Sequence, residues 1–256
     1  MIVFVNSAKY EADKLQRNLE LTVKNATSKL EGVMSTKLRE VEAIKSYFES
    51  SVKVEKNEFA NFVRLFWEKE TAVSSLQWVS VGTMGNKISS FNVVYSEPEQ
   101  STKGEIGRNL LDVERVQDVI EDIKGSVNKV LITEVGRASL NQNVFSVLFP
   151  VYDSNNPGSH SIHNLSGFVV GTYILDELVK EVVNELKLSG VEIEIFQHAM
   201  SRGSKNSVYK SFNDDQTFLL NTVSNIHIGD KIWQVNYNQT AEYLVEHKEW
   251  YLWYML

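Results

Sequence analysis

Histidine pairs, glycine-rich loops and neighbouring carboxylates are the patterns in this sequence that could carry out chemistry. His160 and His163 stand three residues apart, a spacing at which two histidines can share a metal ion on one helix face. The segment around them is rich in serine, asparagine and glycine, which is typical of a solvated loop, and it offers no third ligand nearby. We therefore predict no metal site here.

The glycine-rich and acidic patterns also have a structural explanation. The segment Gly82-Thr83-Met84-Gly85-Asn86-Lys87 lacks the glycine spacing and the Ser or Thr after lysine that a phosphate-binding loop needs, so it indicates a turn between strands. Glu192 and Glu194 alternate with apolar residues, as on the solvent face of a strand. Known hydrolase and dinucleotide-binding motifs do not occur in the sequence. We predict that the chain is not an enzyme and has no catalytic residues, no cofactor and no metal.

The charge and the cysteine content exclude several classes of partner and site. The 256 residues include 26 Lys and Arg against 33 Asp and Glu, a net charge of −7, with no run of three basic residues. Because affinity for nucleic acid comes largely from clustered cations on phosphates, the sequence predicts no nucleic-acid partner. The absence of cysteine excludes disulfides, thiolate metal sites and cysteine nucleophiles.

One long helix is predicted at the start of the chain. From about residue 7 to residue 50 there is no proline and one glycine, Gly32, and apolar residues recur at steps of three and four, interrupted around Lys37. About 40 residues at 1.5 Å each form a rod of roughly 60 Å. Such a helix either runs along a two-lobed body or pairs with a second copy, and its narrow N-terminal stripe favours a dimer contact.

The rest of the chain alternates between short strands and helices. A second amphipathic helix is predicted at 58–66, followed by strands at 76–81 and 91–95, a helix at 113–123 and strands at 129–135, 144–152 and 167–174. Beyond a helix at 176–188, strands are predicted at 191–195, 207–212, 218–223 and 231–237, and a last helix begins at Thr240. We predict a long helix at 1–51, a larger lobe at 52–176, a smaller lobe at 177–239 and an exit helix at 240–256.

The end of the sequence carries an aromatic run. Residues 250–256 read Trp-Tyr-Leu-Trp-Tyr-Met-Leu, a composition typical of the point where a transmembrane helix leaves the headgroup layer. A terminal helix that packs its aromatics on the protein body is the alternative. No stretch of about 18 apolar residues occurs, so no segment is itself predicted to span a bilayer. The first interpretation predicts flanking transmembrane helices.

Several short motifs follow one another along the chain: Glu58-Phe59 with Phe62, Leu76-Gln77-Trp78, Tyr95-Ser96-Glu97-Pro98, Gly107-Arg108-Asn109-Leu110, Thr133, Leu148-Phe149-Pro150-Val151-Tyr152, Leu165-Ser166-Gly167-Phe168-Val169-Val170-Gly171, and Trp233 to Thr240 with Tyr243-Leu244. In this order they resemble the CHASE domain, the extracytoplasmic sensor of membrane histidine kinases and nucleotide cyclases. Two positions depart from the family pattern: Asn109 replaces a common aspartate, and Glu134-Val135 replaces Ala-Pro.

The resemblance implies an α+β fold, in which a long N-terminal helix is followed by two tandem PAS-like lobes with antiparallel sheets. It also implies the sensor domain of a transmembrane receptor, on the periplasmic or extracellular face of the cytoplasmic membrane, with an unknown small-molecule ligand in the membrane-distal lobe. Flanking transmembrane helices and a homodimer through the N-terminal helix are the other expected partners. In plant relatives the pocket binds cytokinins and has threonine at the position of Leu148, which argues against a cytokinin here.

Six residues on the predicted strands are candidates for the ligand pocket: Trp78, Tyr95, Ile132, Thr133, Phe149 and Phe168. Such pockets are mostly apolar with a few polar groups, and Thr133 and Tyr95 would supply the hydrogen bonds. Core packing is the alternative role for each, since aromatic strand residues are usually buried. The hypothesis is that the ligand moves the exit helix relative to the long helix and so biases an output domain of histidine kinase or diguanylate cyclase type.

Three other functions remain open from the residues alone. A double-PAS sensor of the chemoreceptor type would need clustered acidic and aromatic residues for the charged groups of an amino acid, which the sequence does not show. A secreted hydrolase would bring carboxylates that are distant in sequence together in a cleft. A ligand-free dimerisation module would have a collapsed distal cavity.

Overall fold

A helix of 49 residues, α1 (Ile2–Ser50), is the first element of the chain. The computed structural model describes residues 2–84, 87–99, 102, 104–113, 116–117, 129–138, 142–153, 164–198, 205–213 and 215–243. The histidines at 160 and 163, the aromatic run at 250–256 and most of the helices predicted at 113–123 and 240–256 lie outside these residues. Within them, no helix is both long and apolar enough to cross a membrane.

One stripe of α1 is buried along most of its length. Its apolar members recur at steps of three and four residues, as expected for one face of a helix: Leu19, Val23, Ala26, Leu30, Val33, Met34, Val41 and Ile44. Lys37 occupies the same stripe and is only 4% exposed. The helix is continuous, as predicted, and only its apolar pattern is interrupted at Lys37, whose charge is accommodated inside the protein.

Lys37 is held by residues of three different segments. Its ammonium lies 3.1 Å from Glu40 Oε1 and 3.0 Å from Glu70 Oε2, and its carbonyl accepts a 3.0 Å hydrogen bond from the Tyr173 hydroxyl. Burial lowers the pKa of Lys37, but its hydrogen bonds with Glu70 and Glu40 and their charges outweigh burial, so the pKa lies above its ordinary value. Burial raises the pKa of Tyr173 well above its ordinary value. A charged ammonium and a protonated phenol therefore coexist at neutral pH.

The larger sheet follows a second helix, α2 (Lys56–Trp67). Its strands are β1 (Val73–Met84), β2 (Lys87–Glu97), β3 (Leu131–Ile132), β4 (Gly136–Arg137), β5 (Asn143–Tyr152) and β6 (Leu165–Ile174). Their order is β2-β1-β6-β5-β3, with β4 also paired to β5, and these pairings are antiparallel. Met84 pairs with Lys87, so the glycine-rich segment lies where β1 leads into β2, and its residues 85 and 86 are outside the described residues.

One face of this sheet, which we call the helix face, packs against α1 and α2. The rings of Phe48 and Trp78 stack with centroids 4.2 Å apart, and those of Phe59 and Tyr95 lie 5.6 Å apart. A Cβ built at Gly171 would lie 2.6 Å from a methyl group of Val41, so glycine is needed where α1 crosses β6. These contacts of α1 and α2 therefore lie on one side of the sheet.

The smaller sheet comes after α3 (Leu175–Leu186). Its strands are β7 (Val191–His198), β8 (Lys205–Lys210), β9 (Leu220–Ile228) and β10 (Lys231–Gln239), in the order β8-β7-β10-β9. Alternate residues of β10, Trp233, Val235 and Tyr237, are fully buried. The Tyr237 hydroxyl lies 3.1 Å from that of Thr27 on α1, so helix and sheet share a core.

The chain divides into two units. One contains Met1–Gly32, Val179–His227 and Ile232–Leu256, and the other contains Val33–Leu178 and Ile228–Lys231. The α1 helix contributes its first part to one unit and its second part to the other. The larger sheet belongs to the second unit and most of the smaller sheet to the first, so the fold is a long helix followed by two antiparallel sheets.

Candidate ligand-binding site

The face of the larger sheet that points away from α1 and α2, which we call the loop face, carries an apolar cluster. Because successive strand residues point to opposite faces, its members alternate with those of the helix face. The cluster consists of Val79, Phe91, Val93, Leu131, Leu148, Tyr152, Leu165, Phe168 and Val170, with Leu110 and Val116 from the segment after β2. The rings of Phe91 and Phe168 lie 5.4 Å apart near its centre.

Four hydroxyl side chains form a row beside this cluster. Ser75 of β1 pairs with Thr172 of β6, which pairs with Ser146 of β5, and Thr133 follows β3 directly. The Ser146 and Thr172 hydroxyls lie 2.9 Å apart, and the Ser146 N–H donates a 2.9 Å bond to Thr133 Oγ1. We call these four residues the hydroxyl row. It places neutral donors and acceptors across four neighbouring strands.

A buried amide and a buried phenol add polar groups to the loop face. Gln77 lies on β1, and its Nε2 donates a 3.2 Å hydrogen bond to Ser96 Oγ on β2. Tyr152 belongs to the apolar cluster, and burial together with the charge of Glu49 raises the pKa of its hydroxyl. Tyr152 is therefore a neutral group at physiological pH.

The six residues predicted to line the pocket divide between the two faces. Thr133 and Phe168 lie on the loop face, with Thr133 fully buried. The other four lie on the helix face by strand register: Trp78, Tyr95, Ile132 and Phe149. The Tyr95 hydroxyl donates a 3.1 Å bond to the carbonyl of Val54, between α1 and α2. That the six share one pocket stays a prediction, and the structure does not bring them together on one face.

Sequence reasoning did not select the polar residues of the loop face. Gln77, Ser146 and Thr172 are interior to predicted strands, where the alternating pattern does not distinguish them from other strand residues. A signal was available, because Thr172 stands four residues after Phe168 and therefore on the same side of β6. Among the described residues, no cluster of three or more His, Asp and Glu is arranged to hold a metal ion.

Comparison with protein families assigns the chain to a family. The CHASE domain profile matches residues 48–209, which is more than half of the chain. The chain belongs to the CHASE domain family. CHASE is an extracytoplasmic sensor domain, so the predicted sensing function is confirmed, and this segment has a sensing role rather than a catalytic one.

Solved receptor domains share the fold of this CHASE domain. An extracellular ligand binding receptor from Desulfohalobium retbaense DSM5692 has a TM-score of 0.59 at 12% identity; the match covers 86% of this chain and 39% of the receptor. The ligand-binding domain of the Pseudomonas aeruginosa PAO1 amino acid chemoreceptor PctC, in complex with GABA, has a TM-score of 0.54 at 12% identity. This match covers 88% of this chain and 99% of the PctC domain. These double-PAS-like neighbours confirm the predicted fold class. The search of curated protein sequences finds no match.

The departure from the family pattern at Asn109 has a structural explanation. Asn109 Oδ1 accepts hydrogen bonds from the N–H groups of Phe91 at 3.0 Å and Leu111 at 3.2 Å. A carboxylate oxygen of the family's common aspartate can accept the same two bonds. The replacement of aspartate by asparagine therefore preserves the hydrogen bonds that connect Phe91 of β2 with the turn before Leu110.

The two acceptor bonds at Asn109 predict how substitutions there behave. Asn109→Asp is expected to change the free energy of unfolding by less than about 0.5 kcal/mol, whereas Asn109→Ala lowers it by about 1.5 kcal/mol because two N–H groups lose their acceptor. Urea titration followed by tryptophan fluorescence measures both. An equal loss of unfolding free energy in the two variants would show that the side-chain NH2 group of Asn109, and not its oxygen, is what stabilises the fold.

Proposed function

We propose that this CHASE domain senses an extracytoplasmic small molecule that binds on the loop face of the larger sheet. The observation that carries the proposal is the hydroxyl row beside the apolar cluster, because ligand pockets in proteins combine an apolar lining with a few polar groups. Thr133 and Phe168 contribute to this site, together with Thr172, Ser146 and Leu148. The GABA complex of the PctC domain, which has a similar fold, supports a small-molecule ligand.

The receptor that contains the domain is proposed on the same basis. Transmembrane helices flank the chain, the larger unit is membrane-distal, and a homodimer forms through α1 at the periplasmic or extracellular face of the membrane. Ligand binding shifts the exit helix relative to α1 and so controls an output domain of histidine kinase or diguanylate cyclase type. The ligand has this effect only if it binds the two conformations of the domain with different affinity.

The four candidate residues on the helix face have a different part in this proposal. Trp78 and Tyr95 contact Phe48 of α1 and Phe59 of α2 through their rings. Ile132 and Phe149 lie on the same side of the sheet. A ligand that changes the curvature of the sheet on its loop face moves these residues against α1. They transmit the change instead of touching the ligand.

A thermal-shift screen of metabolites against the wild-type domain and two variants tests the proposed site. Thr172→Val removes a hydroxyl of the row with little change in shape, and Thr222→Val makes the same change on β9 of the smaller sheet. A true ligand raises Tm by several degrees, since ligand at about 100 times its Kd stabilises the fold by about 2.7 kcal/mol. The shift should be lost in Thr172→Val and kept in Thr222→Val.

Each remaining outcome of the screen contradicts part of the proposal. A hit that keeps its full shift in Thr172→Val places the ligand elsewhere. No hit across a broad library favours the ligand-free dimerisation module. Thr133→Val is a poorer probe than Thr172→Val, because the Ser146 N–H would lose its acceptor and the variant would be destabilised for a structural reason.

A further inference from the structure

The polar groups of the loop face indicate what kind of ligand they fit, an inference that depends on the proposed function above. The hydroxyl row and Gln77 supply donors and acceptors that are all neutral. Tyr152, the one ionisable group among the described strand residues of this face, has its pKa raised by burial and by Glu49. In the described part of the segment after β2, Glu105 and Arg108 pair with each other at 3.1 Å, and Asp112 is exposed.

Neutral groups at the edge of an apolar cluster favour an uncharged polar ligand. Burying an ammonium or carboxylate costs far more free energy than neutral hydrogen bonds return, unless an opposite charge is supplied. A neutral amide or hydroxyl costs much less to bury and can form hydrogen bonds with the side chains of the row. Among the described residues of this face, the desolvation cost therefore favours an uncharged ligand over a zwitterion.

The geometry of the hydroxyl row also indicates which hydrogen-bonding groups the polar edge of the ligand should present. Ser146 and Thr172 share one hydrogen across 2.9 Å, so the pair has one remaining O–H donor and unused oxygen lone pairs. A ligand edge with one donor and one acceptor side by side matches this pair, because the two hydroxyl oxygens lie 2.9 Å apart. Its apolar part would lie against Leu148, Val170 and Phe168.

We propose that the loop face binds an uncharged amphipathic molecule whose polar edge presents a donor and an acceptor together, as a lactam or cyclic amide does. The ligand class thus differs from the amino acids that charged sites recognise. The polar edge lies over Ser146 and Thr172.

Matched pairs of small probes test this ligand class. The five-, six- and seven-membered lactams 2-pyrrolidone, 2-piperidone and caprolactam are compared with their ring-opened forms, GABA, 5-aminopentanoate and 6-aminohexanoate, by ligand-observed NMR and thermal shift. Each pair has the same carbon chain and differs in charge. We expect at least one lactam to bind, with its ring-opened partner at least about tenfold weaker because of the charge it must bury. Thr172→Val should weaken the lactam about tenfold and Thr222→Val should leave it unchanged.

The other outcomes separate this inference from the proposed function. If a ring-opened form binds as well as its lactam and loses affinity in Thr172→Val, the ligand class is wrong and the site is right. If no lactam binds, the ligand class is overturned, and the metabolite screen decides the sensor function independently. Lactam binding that Thr172→Val does not affect would overturn the assignment of the polar edge to this row.

Discussion

Replacing Lys37 with methionine is expected to lower the free energy of unfolding by about 3 kcal/mol, because the carboxylates of Glu40 and Glu70 lose the largely buried cation with which both pair. The Lys37 side chain is 5% exposed, and its ammonium pairs with Glu40 and Glu70. The side chains of these glutamates are 14% and 38% exposed, respectively. Methionine fills a similar volume, so the loss measures charge pairing and not a cavity. Urea unfolding at neutral pH, followed by circular dichroism, measures it.

A control and a rescue variant distinguish the charge effect from damage to α1. Lys45→Met breaks the Lys45–Glu49 pair on the same helix, which is 3.4 Å long and more exposed, and should cost about 0.5 kcal/mol or less. The triple change Lys37→Met, Glu40→Gln and Glu70→Gln also removes both carboxylate charges and should recover most of the stability. If Lys37→Met costs no more than Lys45→Met, the cluster contributes nothing beyond a surface pair.

The long helix was predictable because its signal is local. Apolar residues at three- and four-residue steps predicted α1 over residues 7–50, and the structure has it at Ile2–Ser50. The apolar pattern is interrupted at Lys37, and the helix continues through this position for a physical reason. The charge is neutralised by Glu70, which is 33 residues away, and such a partner leaves no trace in helical periodicity.

The strands were predicted more reliably than their faces. Alternation indicates that neighbouring residues such as Ile132 and Thr133 point to opposite sides, but it does not show which side the helices cover. That choice depends on contacts such as Phe48 with Trp78, which are 30 residues apart in the chain. A bulge between Trp78 and Val79 also shifts the pairing of β1 with β2, and sequence alternation alone does not reveal it.

The family could be predicted from the sequence but the site could not. Recognising the family needs only local motifs, whereas recognising the site needs the pairing of the strands. Ordered short motifs identified the CHASE domain without any knowledge of which side of a strand each residue occupies. The hydroxyl row became visible only when register placed Ser75, Thr172 and Ser146 on neighbouring strands. A binding site assembled across strands requires the pairing of the sheet, and local sequence carries little of that information.

Alkaline pH is expected to destabilise the smaller-sheet unit through Tyr237, whose fully buried hydroxyl lies 3.1 Å from that of Thr27. Burial raises the pKa of Tyr237 to about 12; the hydrogen bond with Thr27 opposes the shift and the charge of Glu31 adds to it. Because the folded state favours the protonated phenol, its contribution is complete below pH 10, the ordinary pKa, and is lost as pH rises towards 12. The loss between pH 9 and pH 12 is about 2 kcal/mol.

Comparing wild type with Tyr237→Phe across this pH range isolates the effect. At pH 7 the phenylalanine variant should be less stable by about 1 kcal/mol, since it loses the hydrogen bond with Thr27. Above pH 10 the wild type loses stability with Tyr237 ionisation and the variant does not, so the difference shrinks and reverses near pH 11. Thr27→Val loses the same hydrogen bond but keeps the phenol, and it should retain the alkaline loss. A difference between wild type and Tyr237→Phe that stays constant from pH 8 to pH 11.5 would show that folding does not perturb this hydroxyl.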